Sequence, residues 1–498
     1  MELKKILKQY WKYAALAAAL AFVFMIVYSI HYDYHYPYHT DEWQNIAQSV
    51  IINDRGYGGL MPYFSSENQA VDLEMGFHFF LSELFLTTGI NFMTDYQFLP
   101  ALFAVLAAFI LFVFVKKASN FWTAVLSVVF FAGLRSNVNM LGLWFFVPLT
   151  LAIPLIYLLF FVFSESIEKS SAKLFYLSLL ILLALFAIHG SSAVFAIPVM
   201  IIYSALSFGK TDKKFRKHFI LSICLFAIFA LALAVIFWKG DVPATFGYFK
   251  SLFVFTPEWT SHQKIFNLLD VYAPTSFLLA CIGLFCTINP KKRIFLAFAL
   301  FAGLILELFY LFQISFFAPY QRVLYYMFLA LAPLSAFGLS FLVKCIMKLP
   351  AKLKKLSRYK DIFVILCAAL ILVILAFHFT GYYETDKDVL LYHHIENPEY
   401  EALKWVQGQY GSYKTILAMP GISTAIYPAI KDYVITIIPA HLGGGPGNID
   451  SFFSGDCEYK LGFLKKYPSD FVLYSEEINC DFLEKVYSKA VYMYKVNL

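Results

Sequence analysis

The chain has 498 residues, of which 60% are hydrophobic, 19% aromatic and 14% charged, with a formal net charge of +6. Soluble domains carry about 25% charge and about 45–50% apolar residues, so a soluble fold is excluded. A solvated, disordered chain is excluded too, because 55 Phe and 34 Tyr would collapse out of water.

The composition specifies a polytopic α-helical membrane protein. Apolar runs of about 17–25 residues cross a hydrocarbon core as helices. About eleven are predicted: 11–30, 96–115, 118–134, 141–163, 173–189, 192–208, 218–238, 271–289, 294–314, 322–344 and 361–380. The first lacks the small-residue cleavage site of a signal peptide. Basic residues in short loops set orientation. Lys4, Lys5, Lys8 and Lys12, then Lys116 and Lys117, Lys169 and Lys173, Lys210–Lys217, Lys291–Arg293 and Lys344–Lys360 all fall in alternate loops. The other side carries only Arg55, Arg135, Lys239, Lys250, Lys264 and Arg322. This parity predicts a cytoplasmic N-terminus and an external C-terminus. The stretch 74–91 is apolar but interrupted by Glu74, His78 and Glu83. It is expected to be an amphipathic helix at the outer interface.

Three external pieces follow. The first is a long loop, 31–95, rich in His, Tyr and acids, and the second is a loop at 239–270. The third is the tail 381–498, set against a transmembrane domain of residues 1–380. In the tail, KTILAMP, DYVITIIP, SDFVLYS and AVYMYKV read as strands. EYEALKWVQ, a run near 450–466 and DFLEKVYSK read as helices. The alternation predicts a small C-terminal extracytoplasmic α/β domain. Of seven Cys, only Cys457 and Cys480 lie in the tail, where an oxidising compartment permits the disulfide expected between them.

The most informative motif is YHTDEWQNIAQ, residues 38–48, after the His/Tyr-rich approach HYDYHYPYHT. A carboxylate at the membrane surface can serve as general base to a hydroxyl. Thr40 or Asp41 also suits a helix N-cap with an acidic first turn, and both readings can hold together. External cations able to meet a departing phosphate are Arg322, Arg135, Lys264, Lys239 and Arg55. Arg322 and Arg135 also fit interfacial snorkelling, while Lys264 and His262 fit a solvated loop. His189 precedes Gly190 at a span end, where a structural histidine is the plainer account. HLGGGPGN, 441–448, lacks the spacing of a nucleotide loop, and nothing supports nucleic-acid binding.

The Asp41–Glu42 pair in a long first external loop resembles the C-superfamily of integral-membrane glycosyltransferases, and in particular the protein O-mannosyltransferases. GLRSNVNMLGLWFFVPLTLAIPLIYLLF, 133–160, is similar to their short second external loop and following span. AIHGSSAVFAIPVM, 187–200, resembles their His-Gly hairpin, and YQRVLYYMFLALAPLSAFGL, 320–339, a late span with an Arg-aromatic start. IDSFFSGDCEYKLGFLKKYPSDFVLYS, 449–475, is similar to the tails of archaeal-type members. The resemblance implies transfer of a sugar, hexosyl or mannosyl, from a polyprenyl-phosphate donor (dolichyl or undecaprenyl) to a hydroxyl on protein, lipid or glycan. It implies Asp41 as the base or its orienter, Glu42 as a positioning acid, and Arg322, Arg135 and Lys264 as donor phosphate ligands. His189, His262, Glu74 and His78 would support the site. Oligosaccharyltransferase subunits resemble this architecture but add an acid in the second loop and a WWDYG tail motif. Here the second loop reads Arg135-Ser-Asn137-Val-Asn139 and the tail lacks WWDYG. Asn carbonyls are weak ligands for a divalent ion, so no cofactor is expected. A metal held by Asp41, Glu42 and Glu74 is the alternative. The rival function is a secondary transporter or flippase of lipid-linked sugars, against which the absence of an internal repeat argues.

Overall fold

The structure, a computed structural model, describes residues 2–56, 63–64, 74–137, 140–207, positions 209, 211–213, 215–221, 224, 228 and 232, then 254–255, 265–352, 360–379, 393–438 and 449–498. In chain order the longer helices are α1 (Glu2–Tyr28), α2 (Thr40–Arg55), α3 (Met75–Thr88), α4 (Phe98–Ala118), α5 (Phe121–Ala132), α6 (Pro148–Glu168), α7 (Ala172–Ile188) and α8 (Gly190–Ser207). They continue as α9 (Pro274–Phe285), α10 (Arg293–Phe312), α11 (Tyr320–Lys352), α12 (Lys360–Phe379), α13 (Asn397–Tyr410), α14 (Pro420–Ile430), α15 (Ile449–Ser454) and α16 (Cys457–Lys466). The chain divides into two compact units, one of Met1–Ile30, Pro100–Trp144 and Pro148–Thr385, the other of His31–Leu99, Phe145–Val147 and Asp386–Leu498.

The first unit is a helical bundle. Among the described residues, 6 helices are long and apolar enough to cross a membrane, and shorter apolar helices lie at Phe121–Ala132, Ala172–Ile188, Pro274–Ile288 and Val364–Phe379. Helices occupy every stretch expected to cross except 218–238, which lies largely outside the described residues. The stretch expected at 141–163 starts late. Residues Gly142–Trp144 form a 3-10 turn, and α6 begins at Pro148. Two close approaches tie α9 to α11. Gly283 lies against the Leu334 carbonyl and Gly338 against the Leu279 carbonyl, so that a methyl at either would overlap backbone. Small residues at such crossings maximise packing between apolar helices. Two hydroxyls pair across the bundle: Tyr157 OH donates to the Leu329 carbonyl at 2.9 Å and Thr123 Oγ1 to Ser340 Oγ at 2.9 Å. Two of the alternate basic loops meet at Glu165, which lies 3.8 Å from Lys117 and 2.5 Å from Lys169. A short ribbon pairs β1 (Val254–Phe255) antiparallel with β2 (Ser315–Phe316).

The second unit joins α2 and α3 to the C-terminal segments. Its five-stranded sheet has β3 (Thr415–Leu417), β4 (Tyr433–Val434), β5 (Phe471–Tyr474), β6 (Leu483–Ser488) and β7 (Tyr492–Val496) in the order β4-β3-β5-β7-β6. The β4, β3 and β5 strands are parallel, whereas β5, β7 and β6 are antiparallel. Leu417, Ile449, Phe452, Phe463, Leu464, Val472 and Tyr494 form the core beneath it. The four segments expected as strands supply β3, β4, β5 and β7. DFLEKVYSK, expected as a helix, is instead the edge strand β6, paired with β7 through a bulge between Lys485 and Tyr487. Leu483 and Tyr487, both buried, are four apart, a spacing that suits a helix turn and a strand face equally. PGISTAIYPAI, unassigned from the sequence, is α14. Cys457 and Cys480 form a disulfide with Cα atoms 5.6 Å apart. The 74–91 stretch is a helix of 14 residues, α3, with Phe77, His78, Leu81, Ser82 and Phe85 buried and Phe79 and Leu86 exposed.

Candidate active site

The Asp-Glu pair opens α2 in the second unit through a capping box. The N-cap is His39, in place of the Thr40 or Asp41 expected. His39 is extended (φ −88°, ψ 146°), and its Nδ1 accepts the Asp41 N–H at 3.1 Å. Because Nδ1 is an acceptor, the ring is the neutral Nε2–H tautomer, and its approach to Asp41 Oδ1 at 3.6 Å is not an ion pair. The two acids occupy different environments. The Asp41 side chain keeps 16% of its surface exposed, whereas Glu42 is 0% exposed. The Glu42 carboxylate accepts from Tyr38 N–H (2.9 Å) and His39 N–H (3.0 Å) on one oxygen and from Phe146 N–H (2.7 Å) on the other. Burial holds its carboxyl up to about 7, against the pull of those three donors, and Asp41 adds to the rise. Asp41 is thus the open carboxylate, and Glu42 joins the start of α2 to the segment Phe145–Val147.

The His/Tyr-rich approach is core to the same unit. Tyr34 OH donates to the Ile395 carbonyl at 2.8 Å and Tyr36 OH to Asn397 Oδ1 at 2.8 Å. The Tyr34 ring stacks on His393 with centroids 3.9 Å apart, and Tyr38 packs against the same imidazole at 5.2 Å. Thr40 Oγ1 meets His394 Nε2 at 3.1 Å. His394 is buried beside His39 and His393, and burial first, then those neighbours, pull it down to about 3. It is a neutral hydrogen-bonding group beside Thr40 and His39.

Of the supporting residues, His78 Nε2 pairs with Asn45 Oδ1 at 2.8 Å and so locks α3 to α2. Glu74 is the N-cap of α3 without a side-chain cap bond. At the far end of α2, Asp54 pairs with Lys431 at 2.5 Å and Arg55 donates to Tyr433 OH at 2.7 Å. Arg55 is therefore engaged with the sheet.

Of the remaining candidates, the first unit holds Arg322, Arg135 and His189 among its described residues. Arg322, in the first turn of α11, donates from Nη1 to the Met140 carbonyl at 2.7 Å. Arg135 donates to the Asp270 carbonyl at 3.0 Å. His189, the C-cap of α7, contacts Ser192 Oγ at 2.6 Å, and Ser192 reaches Tyr326 OH at 2.7 Å. The loop between α5 and α6 is a pinned turn. Asn137 Oδ1 accepts Met140 N–H at 2.8 Å, while Ser136 Oγ and Tyr325 OH both accept Leu143 N–H, at 2.8 Å and 3.1 Å. Its Gly142 has φ +81°. Lys264 and His262 lie outside the described residues. No group of three or more His, Cys, Asp or Glu arranged to hold a metal occurs among the described residues.

No protein-family model matches the sequence, and neither does any curated protein. Solved structures do match. The Archaeoglobus fulgidus oligosaccharyltransferase AglB, in complex with an inhibitory peptide and a dolichol-phosphate, is similar over 94% of this chain and 69% of its own, with 12% identity and a TM-score of 0.62. ArnT from Cupriavidus metallidurans, bound to undecaprenyl phosphate, is similar over 98% of both chains, with 11% identity and a TM-score of 0.56. The chain has the fold of the C-superfamily glycosyltransferases. The mycobacterial arabinofuranosyltransferase AftD is similar over 98% of this chain and 40% of its own, with a TM-score of 0.50 and 14% identity. Within this C-superfamily fold, the residues that sequence reasoning passed over are His39, His393 and His394. The signal available was a second His/Tyr stretch, LYHHIENPEY at 391–400.

Proposed function

We propose that this chain is a membrane glycosyltransferase that moves one sugar from a polyprenyl phosphate to a hydroxyl of a protein, lipid or glycan at the outer membrane face. The observation that supports this reading is the fold it shares, across 98% of both chains, with a protein bound to undecaprenyl phosphate. The reading includes eleven spans, a cytoplasmic N-terminus, an extracytoplasmic tail at 381–498 and a hexosyl or mannosyl donor. Asp41, the open carboxylate of the pair, is assigned the acceptor base. It takes the acceptor's hydroxyl proton as the oxygen attacks the anomeric carbon. The bond from that carbon to the phosphate oxygen breaks, and polyprenyl phosphate leaves with the electron pair. One displacement inverts the anomeric centre. Arg322 is assigned the departing phosphate charge, with Arg135 and Lys264 as further candidates. Glu42 holds the start of α2, which aims Asp41. With no carboxylate in the loop 133–147, transfer is expected without a divalent metal.

The test uses protein in nanodiscs with a short-chain polyprenyl-phosphate mannose, following release of polyprenyl phosphate with and without EDTA. Release by the wild type that survives EDTA and vanishes in Asp41→Asn is expected. Equal release by both proteins would remove Asp41 from the chemistry. Lipid-linked sugar that is flipped but never cleaved would favour the transporter.

A further inference from the structure

Between Thr40 and Ile51, α2 is buried on every side but one. Only Asp41 and Gln48 escape burial, and seven residues place them on one stripe, two turns apart. Gln44 lies between them, three residues from Asp41 and four from Gln48, so the three side chains neighbour one another along that stripe. The Gln44 side chain is 4% exposed, yet neither its Nε2 nor its Oε1 has a hydrogen-bond partner among the described residues. The indole N–H of Trp43 likewise has no partner among the described residues, but the other polar side chains buried beside Gln44 are paired. Asn45 is paired with His78, Ser49 with two carbonyls, and Glu42 with three backbone N–H groups. A buried carboxamide with both ends empty is expensive, and native structures keep such a group where a partner is supplied from outside.

A carboxamide presents one donor and one acceptor side by side, which matches two neighbouring hydroxyls on a sugar ring. We infer that Gln44, flanked by Asp41 and Gln48, the two residues of this stretch that escape burial, binds a pair of adjacent ring hydroxyls and selects the sugar one helical turn from Asp41. This rests on the glycosyltransferase reading above. The hydroxyls belong either to the donor's transferred sugar or to a glycan acceptor, and the chemistry is the same.

The test compares wild type with Gln44→Met in nanodiscs, using a panel of undecaprenyl-phosphate hexoses and their ring-deoxy analogues, each with water or an oligosaccharide as acceptor. The wild type should reject the analogue that lacks the hydroxyls Gln44 reads. Gln44→Met should raise KM about 10-fold or more, lose that discrimination, and melt at or above the wild-type temperature, because an apolar side chain removes an unpaired buried amide. A KM change with water as acceptor assigns the hydroxyls to the donor, whereas one confined to the oligosaccharide assigns them to the acceptor. Unchanged KM and discrimination in an active protein would overturn the inference alone. So would a lower melting temperature with intact kinetics. A wild type that releases no polyprenyl phosphate from any donor fails the glycosyltransferase reading, and the inference falls with it.

Discussion

Glu42 offers the sharpest separation of a structural from a chemical role. Its carboxylate is the acceptor for three backbone N–H groups, at 2.7 to 3.0 Å. Glu42→Gln keeps the shape but replaces one acceptor oxygen by a donor. The carboxamide oxygen can serve the Tyr38–His39 side or Phe146, and the other side is left facing an NH2 group. A buried N–H without a partner costs about 1–3 kcal/mol. Glu42→Ala leaves three such groups and costs about 3 kcal/mol at the least. Hydrogen–deuterium exchange read on segments 38–43 and 144–148 should speed up roughly 10- to 100-fold on one of the two segments in Glu42→Gln, and on both in Glu42→Ala. The pH dependence adds a second readout. Burial raises the carboxyl from its ordinary 4.5 to about 7, so between those values the folded state keeps a proton that the unfolded chain has released. That stabilisation is complete below pH 4.5 and is lost as pH rises through 7, on the order of 3 kcal/mol in all. Glu42→Gln should flatten this slope. Wild-type exchange on both segments in Glu42→Gln, with an unchanged pH slope, would refute the structural assignment and move Glu42 to the chemistry.

The remaining predictions are local. Gly142→Ala should unfold the turn between α5 and α6, because φ is +81° there and a methyl would overlap the Tyr325 ring and Ser136 Oγ; protein yield and melting temperature read it, and an unperturbed variant would refute the pinned turn. Cys480→Ser opens a bridge between residues 23 apart in sequence and should cost about 3 kcal/mol, seen as faster proteolysis of 449–498. Tyr34→Phe removes the donor to the Ile395 carbonyl and should cost about 1–2 kcal/mol, with exchange rising at 393–397. Arg322→Gln removes the cation and the Nη1 donor to the Met140 carbonyl and should raise the donor KM at least as much as it lowers the melting temperature of the bundle; an unchanged KM would remove Arg322 from phosphate binding.

The sequence makes the bundle legible because apolar length alone marks a helix of this kind, and capping residues such as Asn120 and Ser171 mark its starts. Local signals ran out in four places. Residues 141–147 are as apolar as the helix they precede, but their course is dictated by hydrogen bonds to Ser136 and Tyr325. The β6 strand carries only Val486 as a β-branched residue, so its pairing with β7 decides it. Asp41 stood out as an acid among aromatics, whereas His393 and His394 acquire meaning only through Tyr34 and Thr40, on the other side of the whole bundle in sequence. Nothing in the sequence marks Gln44, because an unpaired amide is a property of its surroundings.

Three hydrogen bonds of the second unit, Tyr34 to Ile395, Tyr36 to Asn397 and Tyr63 to Thr424, each span 361 residues of chain. At about 5–20 residues per second, the first partner of each is made roughly 20–70 s before the second. The newborn aromatic strip must therefore be sheltered throughout that interval, and the last hundred residues act as the keystone that turns a waiting loop into a finished body. A ribosome stalled near residue 390 should accordingly leave Tyr34, Tyr36 and Tyr38 open to chaperones and proteases, while a stall past residue 430 should close them.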